Sequence, residues 1–163
     1  MNKKLNNIQY IEAPAIYEVE VNDIPLFLAG GITNCPNWQK EFKSLLEKYV
    51  DDSNLVILNP RRENFPIGDP NEAFKQIKWE WEMFQKAKII SFWFSRGSLN
   101  PIVLFEYGKW LVQKEKPLFV GIDPQYSRKQ DVEIQTRLER KDISLVYSLE
   151  ALANEIKNYI TKK

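Results

Sequence analysis

Two glutamates with apolar neighbours are the residues of this sequence that are best suited to chemistry. Glu106 stands in the segment SLNPIVLFEYG, and Glu80 stands in QIKWEWEMF, between two tryptophans. Apolar surroundings disfavour the charged form of a carboxyl group, whereas nearby N–H and O–H donors favour it. A glutamate held between these two effects can serve as a nucleophile or as a general base.

Each of these glutamates also has an ordinary interpretation. A helical glutamate such as Glu106 often packs its stem on the protein while its head lies in water. Glu80 and Glu82 point about 200° apart if they lie on one helix, so we expect Glu82 to face solvent. Glu80 then shares its face with Gln76 and Phe84. We therefore keep Glu80 and Glu106 as the candidate catalytic residues.

Composition narrows the chemistry further. The sequence has no histidine and one cysteine, Cys35. This excludes a Ser-His-Asp hydrolase, a zinc site with histidine or several thiolate ligands, and an internal disulfide within this chain. We expect carboxylates to act as acid, base or nucleophile, and we expect neither a metal nor a cofactor. A single thiol fits a reducing cytoplasm.

Size and charge indicate one domain with a small partner. The 163 residues, 1–163, suit one well-buried core. With 23 basic against 22 acidic side chains, the net charge of +1 provides no field that attracts nucleic acid or an anionic membrane. No stretch approaches a membrane span, and the first residues lack the apolar core of a signal peptide. We therefore expect a cytoplasmic protein that binds a small molecule.

Alternating strand and helix patterns predict an α/β fold. Continuous apolar runs predict five buried strands, at 26–32, 55–59, 89–94, 117–122 and 144–147. Helical spacing and capping residues predict helices from 34 or 36 to about 49, at 72–86, from 101 to about 114 and at 149–160. Because strands alternate with helices, the sequence predicts a mostly parallel sheet with helices on both faces.

The sequence also makes a prediction for each of two segments outside this alternation. Residues 16–21 (IYEVEV) alternate apolar and polar types, which predicts one half-exposed strand added within an N-terminal extension, 1–25. Residues 123–130 are expected to form the most mobile loop of the chain.

Four loop segments are expected to meet at the carboxyl ends of the strands, namely GGITN, NPRREN, SRGSLNP and GIDP. In an open α/β sheet, ligands bind at this edge. Gly30 and Gly31 would let backbone N–H groups approach an anion or a sugar closely. The alternative is that the two glycines form an ordinary tight turn.

The NPRREN segment carries two adjacent arginines. Arg61 and Arg62 are suited to a charge-assisted grip on a phosphate or carboxylate group. The alternative is that they pair with local carboxylates such as Glu63 or Asp69. Since adjacent side chains diverge, we expect one of the two arginines to reach the site.

Four motifs, taken in order, resemble those of the nucleoside 2-deoxyribosyltransferase-like proteins. They are FLAGGI with the later NWQ, then LNPRR, then QIKWEWEMFQKAKIISFWF, then SLNPIVLFEYG. The resemblance covers about residues 26–122. It implies a flavodoxin-like, Rossmann-like three-layer sandwich and an enzyme that cleaves the N-glycosidic bond of a deoxynucleoside or nucleotide.

The resemblance also implies roles for individual residues. The glutamate of the E-x-G segment, here Glu106, attacks the anomeric carbon, and the acidic residue of the preceding helix, here Glu80, contacts the base or helps its departure. A loop residue six positions before the nucleophile contacts the substrate, and it is Asn100 in this sequence where deoxyribosyltransferases often have aspartate. The further substrate-binding candidates are Gly30, Gly31, Asn37, Trp38, Asn59, Arg61, Arg62 and Ser98.

The implied chemistry agrees with the composition. Departure of the base leaves an oxocarbenium-like sugar, which a carboxylate can capture covalently, as in retaining glycoside hydrolysis. The sugar then passes to a second base or to water, and an arginine grip on a 5′-phosphate would favour a nucleotide hydrolase. Family members commonly complete their sites across a subunit interface, so the resemblance implies a homodimer or higher homo-oligomer.

Two other functions remain open. Fold and pocket do not fix function, so the protein is alternatively a non-catalytic sensor of a nucleotide derivative. The third interpretation is a glycohydrolase that acts on NAD-type dinucleotides, which can also use a glutamate on a related sheet.

Overall fold

A computed structural model describes residues 8–51 and 54–162. Residues 1–7 of the expected N-terminal extension lie outside the described residues. Six strands and five helices occur in the described ranges, in the order β1 (Gln9–Glu12), β2 (Ile24–Gly30), α1 (Trp38–Tyr49), β3 (Leu55–Asn59), α2 (Pro70–Lys86), β4 (Ile89–Phe94), α3 (Pro101–Leu111), β5 (Leu118–Ile122), α4 (Lys129–Glu139), β6 (Leu145–Val146) and α5 (Leu149–Thr161).

The strands form one parallel sheet in the order β1-β3-β2-β4-β5-β6. Without β1 this is the flavodoxin-like order, in which the chain reverses direction across the sheet between β2 and β4. One apolar core includes α1 and α5 on one face of the sheet, and a second includes α2, α3 and α4 on the other. The predicted α/β class and three-layer sandwich are therefore confirmed.

The sheet has six strands in the described ranges rather than the five predicted. The sixth is β1, which pairs with β3 at the sheet edge. The expectation of a strand at 16–21 is wrong, because side chains of α2 bind this part of the chain. Trp79 Nε1 donates to the Ala15 carbonyl at 2.8 Å, and Lys86 Nζ donates to the Tyr17 carbonyl. These carbonyls are thus satisfied without a partner strand.

Helix boundaries shift where capping residues decide them. α1 begins at Trp38, later than predicted, because Asn34 has a left-handed backbone (φ 59°) and the Asn37 side chain caps the helix by accepting from Lys40 N. α2 begins two residues earlier than predicted, at Pro70, with Asp69 as its cap. α3 ends at Leu111 rather than near 114.

The helix α4 has no counterpart in the sequence prediction. Its sequence, KQDVEIQTRLE, buries just Val132 and Thr136, so its apolar stripe is too narrow to be recognised from spacing alone. The helix begins at Lys129, inside the segment expected to be a mobile loop. None of the described helices has the length and apolar character needed to cross a membrane.

Candidate active site between α2 and α3

Glu106 lies in the second turn of α3, the helix that follows β4. The buried face of α3, which includes Val103, Tyr107 and Trp110, packs on the sheet. On its α2 side the Trp110 ring stacks on Phe84, with ring centroids 5.5 Å apart. Trp110 follows Glu106 by one helical turn, so Glu106 also lies on the side of α3 that faces α2.

Glu80 lies on the facing side of α2, one turn before Phe84. Gln76, one turn earlier still, donates from Nε2 to Glu80 Oε1 at 2.8 Å and to the Pro60 carbonyl at 2.7 Å. Pro60 directly follows β3, so the amide connects Glu80 to the carboxyl end of the sheet. The two candidate glutamates therefore face each other across the contact between α2 and α3.

The environment changes the acidity of both carboxyl groups. The pKa of Glu106 is raised to about 8, mainly by burial and also by the neighbouring Glu80, while Lys109 opposes the change. Burial also raises the pKa of Glu80, against the hydrogen bond from Gln76. Because neighbouring carboxylates repel each other, the charge on Glu80 makes it harder for Glu106 to ionise.

Apolar side chains border the two carboxyl groups. Ile77 and Trp81 lie one position outward from Gln76 and Glu80 on α2, while Ile102 and Phe105 lie on the corresponding part of α3; the four apolar side chains are each more than half exposed. The two carboxyl groups, each partly buried, therefore lie along the contact between α2 and α3, which we call the groove, beside these exposed apolar side chains. This arrangement lowers the local polarity while leaving the groove open to solvent.

Close contacts within the protein require glycine at the last residue of β2, Gly30, and at the residue after it, Gly31. A Cβ atom on Gly30 would lie 2.4 Å from a Trp38 ring carbon, and one on Gly31 would lie 2.2 Å from Asn100 Oδ1. The Gly31 carbonyl accepts from Trp38 Nε1 at 2.9 Å. Trp38 is 2% exposed and belongs to the core beneath this turn. The predicted substrate contacts of these residues stay predictions, and their packing role is observed.

Asn100 connects the loops after β2 and β4. Its Nδ2 donates to the Ser95 carbonyl at 3.2 Å, and its Oδ1 accepts from Cys35 Sγ at 3.3 Å. The residue is 5% exposed and has a left-handed backbone with φ 50°, which asparagine tolerates better than most residues. Ser98 Oγ accepts from the Asn100 backbone N–H at 3.2 Å. The polar atoms of the Asn100 side chain are thus used at the switch point of the sheet.

Arg61 is bound to the loop that precedes α1. Asn59, at the end of β3, exchanges hydrogen bonds of 3.1 Å with the Arg61 backbone and so fixes the turn. The Arg61 guanidinium donates to the Pro36 carbonyl at 2.9 Å, the Cys35 carbonyl at 3.3 Å and Gln39 Oε1 at 3.2 Å. Its donors therefore join two of the four loops that were expected to meet.

Arg62 has a carboxylate partner, which is neither Glu63 nor Asp69. It forms an ion pair of 2.9 Å with Glu72 in the first turn of α2, and Glu72 also pairs with Lys75 at 2.7 Å. Of the two interpretations of Arg62, local pairing is the one that the geometry supports.

Two surface cavities lie away from the carboxyl pair. One, of about 620 Å³, is lined by Arg62, Phe65 and Glu72. The other, of about 360 Å³, lies on the α1 and α5 side and is lined by Arg96 and Asp123 among others. Neither is lined by Glu80 or Glu106. A bound small ligand usually has most of its surface buried, so the shallow groove between α2 and α3 needs a cover to enclose one.

Sequence reasoning selected Glu80 and Glu106 but gave no role to Gln76 or Lys109. The signal for Gln76 was present, since it precedes Glu80 by four residues and two such side chains meet on a helix. Lys109 follows Glu106 by three residues, a spacing that also allows contact. The role of the Pro60 carbonyl can be recognised only in the folded structure, because it depends on where β3 ends beside α2.

The sequence model of the family described as nucleoside 2-deoxyribosyltransferase like matches residues 23–126. This range covers more than half of the chain and includes Glu80 and Glu106, and the chain belongs to this family. Membership supports a role in glycosyl transfer in general terms, with small nucleoside substrates. No curated protein matches the chain.

Proposed function

We propose that the protein cleaves the N-glycosidic bond of a deoxynucleoside or nucleotide, with Glu106 as the nucleophile. The observation that carries this proposal is the pairing of Glu106 with Glu80 in an apolar groove, on segments that match the family. In this proposal the two carboxyl groups share one proton, so that together they supply both partners that such a reaction needs, a nucleophile and an acid.

The proposed first step begins with transfer of the shared proton to Glu80. The bond between the anomeric carbon and the base nitrogen then breaks, its electron pair goes to the base, and Glu80 gives its proton to the base. The sugar carbon, now oxocarbenium-like, forms an ester bond with a Glu106 oxygen. The groove disfavours two neighbouring carboxylates, which helps Glu106 to attack because ester formation removes its charge.

The second step reverses the first. The nitrogen of another base, or a water molecule, attacks the anomeric carbon and the ester bond breaks, so Glu106 is released as a carboxylate. The proton lost by the attacking group goes to Glu80. Both acceptors use the same residues, so transfer and hydrolysis differ in which molecule occupies the base position when the ester forms.

The decisive experiment identifies the products. The protein is incubated with deoxynucleosides and their 5′-monophosphates, with and without a second base, and the products are separated by chromatography. We expect release of free base without an acceptor, or exchange of bases with one. Glu106→Gln should reduce turnover by about 10³-fold or more, on the scale of other lost nucleophiles.

Glu139→Gln is the control, since Glu139 is an exposed glutamate at the end of α4 and lies outside both the groove and the proposed interface. It should leave the rate unchanged. Binding without base release from any substrate would instead identify a sensor. Release of nicotinamide from dinucleotides, with no base from deoxynucleosides, would identify the glycohydrolase, and wild-type turnover in Glu106→Gln would exclude Glu106 as the nucleophile.

The proposal includes a homodimer formed through the outer faces of α2 and α3. Phe74, Ile77 and Trp81 on α2 continue the apolar surface of Ile102 and Phe105 on α3, and contiguous exposed apolar surface marks an interaction site. A twofold axis would place this surface against itself. Lys78 and Glu82 border it, so each copy offers one charge of either sign to the other. A second copy in this position would also cover the shallow groove.

A further inference from the structure

Gln76 has an amide whose orientation is fixed by its partners. Both neighbours of Nε2, the Pro60 carbonyl and Glu80 Oε1, accept hydrogen bonds, at 2.7 and 2.8 Å. Turning the amide over would place its oxygen against two acceptors. The two N–H donors of Gln76 are therefore both used, one on the end of β3 and one on Glu80.

The other end of the same amide has no partner. Gln76 Oε1 is buried and accepts no hydrogen bond within the described part of the chain. A buried acceptor without a partner costs free energy, and an apolar side chain of similar size would avoid that cost. We infer that the two N–H donors of Gln76 are the reason for an amide at this position.

We propose that Gln76 is a positioning residue, which holds the Glu80 carboxylate beside Glu106 and ties it to the end of β3. A hydrogen bond from an amide N–H favours the ionised carboxylate and restricts its rotation. Gln76 thereby determines which of the two carboxyl groups carries the charge in the free protein. The catalytic consequence of this assignment rests on the proposed function, whereas the electrostatic consequence does not.

The charged groups around the pair are few enough to interpret a titration. Glu106 lies near Glu80 from α3, and Lys109 on the same helix acts on Glu106. Glu72, one turn before Gln76 on α2, is neutralised by Arg62 and Lys75. A change at residue 76 therefore acts first on Glu80 and then, through charge, on Glu106.

The test is a carboxyl titration by NMR of protein labelled with ¹³C in its glutamates, with the two signals assigned by Glu80→Gln and Glu106→Gln. Gln76→Met keeps the length of the side chain and removes the donors, so the titration midpoint of Glu80 should rise. Gln76→Glu also adds a negative charge, so the midpoints of both glutamates should rise. Gln85→Met, an exposed change on the same helix, should move neither midpoint.

Activity provides a second readout. Gln76→Met should lower kcat by about tenfold because the Glu80 carboxyl group loses its fixed orientation, an effect smaller than the loss of a proton-transfer group itself, with a smaller change in KM. An unmoved Glu80 midpoint in Gln76→Met that has the wild-type circular dichroism spectrum would overturn the assignment. If that variant does not fold, unmoved midpoints in Gln76→Glu would do the same. A protein without any activity would refute the proposed function and leave the titration as the deciding result.

Discussion

The helices on the two faces of the sheet differ in how much apolar surface they expose. α1 and α5 expose no large hydrophobic side chain and belong to one apolar core, and Trp38 of α1 also lies against Gly30 at the end of β2. The helices of the other face expose seven such side chains, namely Phe74, Ile77, Trp81, Ile102, Phe105, Ile134 and Leu138. The carboxyl groups of Glu80 and Glu106, whose pKa burial raises, also lie on this second face.

With Glu80 and Glu106 in the roles proposed above, the difference separates residues that stabilise the fold from residues that act on the substrate. The face with α1 and α5 is complete in one chain, so its residues are expected to determine how firmly the protein folds. The face with α2 and α3 keeps two carboxyl groups in apolar surroundings and leaves apolar surface uncovered, both of which cost free energy in a monomer. Such costs are typical of sites where activity is favoured over stability.

The largest expected effect contrasts two tryptophans, one from each face. Trp38 is buried and Trp81 is more than half exposed. Trp38→Ala should lower the free energy of unfolding by about 3–5 kcal/mol, as for other buried aromatic residues, whereas Trp81→Ala should lower it by less than about 1 kcal/mol in the monomer. Urea unfolding at low protein concentration measures both. An equal loss of unfolding free energy in the two variants would contradict the proposed difference between the faces.

The next effect concerns the proposed dimer. Trp81→Lys places a charge in the centre of the α2 and α3 surface and should weaken self-association by at least about 2 kcal/mol, or roughly 30-fold in Kd. Leu138→Lys on α4 is the control, because Leu138 is exposed on the same face but belongs to a different helix. Sedimentation velocity measures the oligomeric state. A monomeric wild type, or a greater effect of Leu138→Lys, would place the interface elsewhere or remove it.

A third prediction uses the acidity of Glu106. Because burial raises its pKa to about 8 from 4.5, the folded state binds this proton more tightly than the unfolded state. The resulting stability is complete below pH 4.5 and is lost as the pH rises through 8. The wild type should therefore lose on the order of 2 kcal/mol between pH 5 and pH 9 relative to Glu106→Gln. Parallel stability curves for the two proteins would contradict the buried state of this carboxyl group.

The smallest effect concerns Arg61. Since its guanidinium donates to Pro36, Cys35 and Gln39, we expect Arg61→Ala to loosen the loop before α1. It should lower activity on free deoxynucleosides and on their 5′-monophosphates by the same factor, about tenfold or less. A larger loss with the monophosphates in kcat/KM would show that Arg61 grips phosphate and would restore the original interpretation.

The four central strands were predictable because each is a continuous apolar run buried on both sides. β3 and β4 begin and end at the predicted residues, since a parallel sheet with helices on both faces needs such runs. The pairing of Glu80 with Glu106 could be anticipated from helical spacing and from the resemblance. The hydrogen bond from Gln76 to the Pro60 carbonyl could not be predicted, since tertiary packing brings these two groups together.

The missed elements are those whose existence depends on distant partners. β1 is a short edge strand, QYIE, that is formed by pairing with β3. Residues 16–21 have the alternation of a strand. However, the Ala15 and Tyr17 carbonyls accept hydrogen bonds from Trp79 and Lys86 of α2. Local pattern cannot reveal which backbone groups a distant side chain will bind, and here it selected the wrong segment for the added strand.

The junction at Asn100 has an evolutionary consequence. An aspartate in its place could still accept from Cys35, but it has no N–H for the Ser95 carbonyl, so two oxygens would face each other at the position of the present 3.2 Å bond. Ancestors or descendants of this chain with a carboxylate there must close the same junction with different atoms. Substitutions at positions 35 and 100, whose side chains bond to each other, are thus expected to arise together.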